Sequence, residues 1–184
     1  MLDKVIVSGF GGQGVLMIGQ LICYAGMEAG KNASFFPSYG PEMRGSTANC
    51  NATISDGEIG SPILVDCTTL IAMNNASIAK YESYVLPEGL ALVNSSIAED
   101  KIRREDIKAY YIPCTRIAIE ENNERGANMV MLGAYIAVTG VVTEADVYKY
   151  IDKTFSGRKA KFADMNKKLV RLGIEYIEAN YPRS

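Results

Sequence analysis

Two short segments hold the residue types that could do chemistry. The first is Gly9-Phe10-Gly11-Gly12-Gln13-Gly14, directly after a β-branched stretch and directly before an amphipathic one. In a strand–turn–helix setting, Gly9, Gly11, Gly12 and Gly14 let the backbone approach a ligand closely. Free N–H groups and the positive end of the helix favour an anion there, with Gln13 at its edge. The same glycines also suffice for a tight turn with nothing bound. Two nucleotide readings fail on neighbouring residues. Val15 and Leu16 follow Gly14 where a phosphate loop needs Lys and a hydroxyl residue. About twenty residues beyond Gly14, where a dinucleotide fold places its ribose acid, stand Ser34, Phe35 and Phe36.

The second segment runs from Pro37 to Gly45 and contains Tyr39, Gly40, Pro41, Glu42 and Arg44. Arg44 has the planar fork that grips a carboxylate or phosphate bidentately, and Glu42 would orient it or accept a proton. The pair equally suits a solvated surface contact. A third, weaker signal is residues 158–171, with six basic residues against Asp164. That excess suits phosphates or an acidic protein partner, or simply the solvated face of an amphipathic helix.

Composition removes many other chemistries. The chain has 184 residues and no histidine, so histidine general bases, His-based triads and histidine metal ligands are absent. Cys23, Cys50, Cys67 and Cys114 are scattered, with no C-x-x-C run to hold zinc or an iron–sulfur cluster. They read as buried cytoplasmic thiols, since no secretory pattern follows Met1. Neither a catalytic residue nor a metal ligand is assigned to this chain. A net charge of -2 makes no case for nucleic acid.

These segments must be positioned by strands and helices that alternate along the chain. Residues 4–8 read as a buried strand, 13–29 as a helix with an inward face of Val15, Ile18, Ile22, Ala25 and Ala29, and 33–36 as a second strand. Residues 47–55 alternate and end at Asp56-Gly57, a hairpin signal. Further strands are expected at 63–65, 91–93 and 110–112, and helices at 68–80 and 115–122. Residues 126–143 carry no charge, yet Asn128, Thr139 and Thr143 favour a buried helix over a membrane span. Gly126, Gly133 and Gly140 recur every seven residues on nearly one face, which would admit a close neighbour such as a second subunit. Thr143 and Asp146 form a capping box for a helix to Phe155. A last helix over 159–180 carries the stripe Phe162, Met165, Leu169, Leu172 and Tyr176. Together these predict one α/β domain over residues 1–184: a mostly parallel sheet with helices on both faces, a Rossmann-like first β-loop-α unit and an antiparallel element near 47–60.

The two segments occur in order with Ser46-Thr47-Ala48-Asn49-Cys50, Ile54-Ser55, Ser61-Pro62, Asn128-Met129 and Gly133. This set resembles the gamma subunit of 2-oxoacid:ferredoxin oxidoreductases over nearly the whole chain. Tyr39-Gly40-Pro41-Glu42-Met43-Arg44-Gly45 looks most like the 2-oxoglutarate branch, with one departure at Ser46, where a second glycine is frequent. The resemblance implies an enzyme complex that oxidatively decarboxylates a 2-oxoacid with coenzyme A, giving acyl-CoA, carbon dioxide and reduced ferredoxin. It implies that thiamine diphosphate, Mg2+ and the iron–sulfur clusters reside in partner alpha, beta and possibly delta subunits. The residues agree. No cluster motif is present, and Ser55-Asp56-Gly57 with Asn74-Asn75 lacks the leading glycine of a thiamine signature. The chain would be inactive alone, supplying contacts and part of the substrate or coenzyme A entrance through Gly9 to Gly14 and Tyr39 to Gly45, in a cytoplasmic complex with ferredoxin as acceptor. Rival readings are a free-standing NAD or FAD oxidoreductase, a non-catalytic oligomeric scaffold or binding module, and the gamma chain of a pyruvate, branched-chain 2-oxoacid or indolepyruvate enzyme. Neither nucleic acid nor a membrane is expected as a partner.

Overall fold

β1 (Leu2–Phe10) forms because Val5, Ile6 and Val7 are β-branched and buried on both faces, as a central strand requires. The computed structural model describes residues 1–38, 47–157 and 160–182. After β1 come α1 (Val15–Glu28), β2 (Asn32–Ser38), β3 (Thr47–Ser55), β4 (Cys67–Ala72), α2 (Asn75–Tyr81) and β5 (Val85–Asn94). β6 (Lys108–Ile112), α3 (Cys114–Glu120), α4 (Ala127–Thr139), α5 (Glu144–Thr154) and α6 (Ala160–Asn180) complete the order.

The six strands make one sheet in the order β2-β3-β1-β4-β5-β6. β1, β4, β5 and β6 pair in parallel, while β3 runs antiparallel to both β1 and β2. The expected mostly parallel α/β sheet with an antiparallel element near 47–60 forms, the antiparallel strand itself spanning Thr47–Ser55. Successive residues of β1 divide between two cores. Val5 and Val7 join α1, α3, α4, α5 and α6 on one face; Ile6 joins Ile78 and Tyr81 of α2 on the other.

Four sequence expectations change. The Asp56-Gly57 turn does not close a hairpin with the following strand. β3 finds both its partners behind it in sequence, and the turn instead binds the N-terminus, with the Met1 ammonium 2.7 Å from Asp56 Oδ2. Residues 63–65 are not a strand: Ile63 and Val65 are exposed in an irregular loop, where the Ser61 hydroxyl accepts from the Ile63 N–H. The strand lies at Cys67–Ala72, overlapping the first part of the expected helix 68–80, and the helix starts only at Asn75. A short apolar run does not distinguish strand from helix by period alone. What separates them here is Asn74, whose extended backbone and Oδ1 bond from the Ser77 N–H start α2. In α6 the expected Leu169 is buried and Met165, Leu172 and Tyr176 pack half-buried against the core, but Phe162 is exposed, and the fully buried face also takes in Ala163, Asn166, Val170, Gly173, Ile174 and Ile177. The Thr143–Asp146 capping box forms as expected.

The uncharged stretch becomes α4, buried at every residue from Ala127 to Ile136, so it packs on all sides. The close neighbour that its glycines admit is α6 of the same chain. A Cβ on Gly133 would lie 1.9 Å from the Val170 carbonyl oxygen, and one on Gly126 would lie 2.2 Å from Leu169 Cδ1. Gly140 ends α4 with a left-handed φ of 63°. The expected subunit-packing face at Gly126 and Gly133 is thus occupied internally, because α6 folds back over it.

Candidate functional site

The parallel strands β1, β4 and β5 end side by side at Phe10, Ala72 and Asn94, and the loops leaving them enclose a cavity. Open α/β sheets bind ligands at this edge. The cavity measures about 300 Å3. Gly12, Gln13 and Met73 line one wall, Asn94, Ile97 and Thr115 another, and Glu124, Arg125 and Ala127 the third.

The glycine loop takes its shape from side-chain bonds as well as from glycine. Gly9 ends the buried part of β1, and a Cβ there would lie 2.9 Å from Met73 Cβ. Gly11 and Gly12 are exposed at the turn. Gly14 caps α1 with a φ of 71°, a region costly for residues with a Cβ, and its Cα lies against Asn128 of α4. Gln13 fastens the loop: its Oε1 accepts from the Phe10 N–H at 2.6 Å and from Asn74 Nδ2 at 3.3 Å, and its Nε2 donates to the Met73 carbonyl at 3.2 Å.

The electrostatics favour an anion. α1 and α4 both begin at this cavity, neither with a side-chain cap among the described residues nor with an acid in its first turn. Exposed Arg125 stands on the rim without a carboxylate partner among the described residues. Sequence reading missed Asn94, Thr115 and Arg125. No local pattern marks them, since they meet only where three strand ends converge.

The remaining expected site residues fall into two groups. Tyr39, Gly40, Pro41, Glu42, Arg44 and Gly45 lie outside the described residues. The strands that flank them do not: Thr47 pairs with Phe10, and Ser38 with Asn49, so both flanks reach the glycine-loop end of the sheet. In the basic stretch, Arg158 and Lys159 also lie outside the described residues. Lys167 pairs with Asp152, Lys168 with Glu121, and Arg171 with Glu144 and Glu175. Much of its apparent excess is met by acids of α5, α6 and the loop after α3, the solvated-face arrangement.

Other features of the molecule do not compete as sites. A larger groove of about 800 Å3 lies along β6 and α6, but two of its charged groups, Glu144 and Arg171, are paired with each other. The four thiols are buried, and burial raises the pKa of Cys23, Cys50 and Cys67 to about 12 and that of Cys114 further, so they are not thiolates at neutral pH. Among the described residues there is no group of three or more His, Cys, Asp or Glu suited to a metal. Asp3, buried at the opposite end of β1, accepts from Thr68, Thr69 and Tyr135 and is a structural anchor.

Residues 4–176 match the sequence profile described as pyruvate ferredoxin/flavodoxin oxidoreductase. The chain is 35% identical over 181 residues to ketoisovalerate oxidoreductase subunit VorA of Methanothermobacter marburgensis, covering 96% of this chain but only 37% of that protein. It is 34% identical over 154 residues to 2-oxoglutarate synthase subunit KorC of Methanocaldococcus jannaschii, covering 82% of each. Among solved structures it resembles the keto/oxoacid ferredoxin oxidoreductase gamma subunit from Geobacter sulfurreducens PCA. The TM-score is 0.83 and the identity 29%, covering 96% of this chain and 99% of that one.

Proposed function

The chain belongs to the pyruvate ferredoxin/flavodoxin oxidoreductase family, and from that premise we propose that it is the gamma subunit of a multisubunit 2-oxoacid:ferredoxin oxidoreductase. The complex oxidatively decarboxylates a 2-oxoacid with coenzyme A to an acyl-CoA and carbon dioxide, passing electrons to ferredoxin. This chain contributes the anion-binding entrance. The observation that carries the reading is the cavity where Gln13, Arg125 and the uncapped starts of α1 and α4 converge. It suits a phosphate of coenzyme A or the carboxylate of the 2-oxoacid.

Redox chemistry belongs to the partner alpha, beta and possibly delta subunits, which hold thiamine diphosphate, Mg2+ and iron–sulfur clusters. The donor set here does not fit a cluster: the sequence has no histidine, and all four thiols are buried. Arg44, two residues after Glu42 in the sequence, is proposed as a second anion grip from its segment between Ser38 and Thr47. The whole of 1–184 is read as one domain and the complex as cytoplasmic. No helix among the described residues is long and apolar enough to cross a membrane.

The proposed substrate is 2-oxoglutarate, on the strength of the segment from Tyr39 to Gly45. A branched-chain 2-oxoacid is the second reading, favoured by the 35% identity to VorA against 34% to KorC. Anaerobic affinity purification of the chain from its source, followed by coenzyme A-dependent viologen reduction with several 2-oxoacids, decides both points. Thiamine- and cluster-bearing partners with one preferred 2-oxoacid are expected. A lone homo-oligomer without activity overturns the subunit reading and leaves the scaffold alternative. In the active complex Arg125→Ala and Arg44→Ala should each raise the KM for coenzyme A or 2-oxoacid about tenfold, the worth of one charge-assisted hydrogen bond. Unchanged KM values remove that residue from the site.

A further inference from the structure

Two of the three walls of the cavity have their hydrogen-bond polarity set by an asparagine at or just beyond the end of a parallel strand. At the end of β5, the Ser96 backbone N–H, which can only donate, bonds Asn94 Oδ1 at 3.3 Å. That fixes the amide, so Asn94 Nδ2 donates to Thr115 Oγ1 at 3.0 Å. Thr115 is thereby the acceptor in this bond and keeps its own O–H proton. Among the described residues no acceptor takes that proton, and Thr115 lines the cavity.

The same wiring recurs one strand away. Just beyond β4, the Ser77 N–H donates to Asn74 Oδ1 at 2.9 Å, which turns Asn74 Nδ2 toward Gln13 Oε1. The Phe10 N–H, again donor only, meets the same oxygen. Gln13 therefore faces the Met73 carbonyl with its amino group, and its second N–H is left without an acceptor among the described residues. Asn94 is fully buried and Asn74 is 1% exposed, so neither is free to turn over in solvent. In each case a backbone N–H outside the cavity dictates that a side chain on its wall is a donor.

We propose that Asn74 and Asn94 are positioning residues that make the walls of this cavity hydrogen-bond donors, through Gln13 and Thr115, and so select an oxygen-rich anion, a phosphoryl or carboxylate group. The inference rests on the anion-binding reading above and adds what fixes its sign. Arg125 and the two helix starts supply attraction at the rim and floor; the asparagine-wired donors supply the directional contacts. Among the described residues Glu124 is the one acid lining the cavity, and it is exposed at its edge.

The test uses the active complex containing this chain, with coenzyme A and the preferred 2-oxoacid as the ligands actually varied. Thr115→Val keeps the shape and removes the hydroxyl; Thr115→Ser keeps the hydroxyl. Asn94→Asp still accepts from Ser96 but turns an acceptor toward Thr115, so the threonine proton is drawn away from the ligand. Thr115→Val and Asn94→Asp should each raise one KM about tenfold, the loss of a single hydrogen bond to an anion, with kcat nearly unchanged. Thr115→Ser should match the wild type. A loss in Thr115→Ser equal to that in Thr115→Val overturns the proposal, and so do unchanged KM values in Thr115→Val and Asn94→Asp while Arg125→Ala raises one; in that case the anion reading survives alone. If Arg125→Ala is also silent, the anion reading falls as well. Should Asn94→Asp fail to assemble, the comparison of Thr115→Val with Thr115→Ser decides, since it leaves the Asn94–Ser96 bond in place.

Discussion

Gly133→Ala is the most informative single perturbation of the fold, because it asks whether the close approach encoded in α4 is internal. A Cβ on Gly133 would lie 1.9 Å from the Val170 carbonyl oxygen, and on the facing helix a Cβ on Gly173 would lie 2.0 Å from the Val130 carbonyl oxygen. A carbon and a carbonyl oxygen rest at about 3.3 Å or more, so α4 and α6 must part by about 1.4 Å to admit one methyl. Backbone atoms of two packed helices cannot turn aside as a flexible side chain can. Overpacking of this kind costs about 3 kcal/mol, and the better helix propensity of Ala returns about 1 kcal/mol. The net loss is about 2 kcal/mol, a fall of roughly 4–8 °C in Tm for a chain of this length. Because Gly133 and Gly173 serve the same approach, Gly133→Ala/Gly173→Ala should lose clearly less than the sum of the single changes. Thermal unfolding followed by far-UV circular dichroism measures both. The loss should not depend on protein concentration, as a contact between subunits would. An unchanged Tm, additive losses, or a loss that varies with dilution would refute the internal-packing argument.

Three further outcomes are expected. Tyr135→Phe removes the 2.6 Å bond from its hydroxyl to buried Asp3 and should cost about 1.5–3 kcal/mol, because the acceptor is a carboxylate; an unaltered urea midpoint contradicts this. The Thr143 hydroxyl holds the Asp146 carboxyl below its usual pKa, so this contribution is complete above about pH 4 and is lost as pH falls through the lower folded value. Asp146→Asn should therefore flatten the acid limb of a Tm-against-pH curve relative to wild type, and parallel curves count against the capping box. The four buried thiols should resist iodoacetamide at pH 8 in the native chain and all react after unfolding in urea, with mass spectrometry giving the count; rapid labelling of native Cys23 or Cys50 would show that the α1–β3 core opens.

Much of the fold was legible locally. Alternation over 47–55 and the β-branched run near residues 4–8 fix strands because period-2 burial is a property of neighbouring residues. Thr143 and Asp146 start α5 for the same local reason. The strand at Cys67–Ala72 was not legible, since its apolar run also fits a buried helix and only insertion between β1 and β5 decides. The buried face of α6 keeps Leu169 but leaves out Phe162 and takes in Val170 and Gly173, because its centre is chosen by α4, not by the helix itself.

For the site the division is similar. The sequence by itself determined the glycine loop, the absence of histidine chemistry and the scattered cysteines, because backbone freedom and donor inventory belong to residue types. Only the tertiary structure decided that Asn94, Thr115 and Arg125 share a cavity with Gln13, that Gly133 serves α6, and that Lys167, Lys168 and Arg171 face acids. Those facts depend on distances between elements remote in sequence, and such distances are set by how the strand ends and helices pack together.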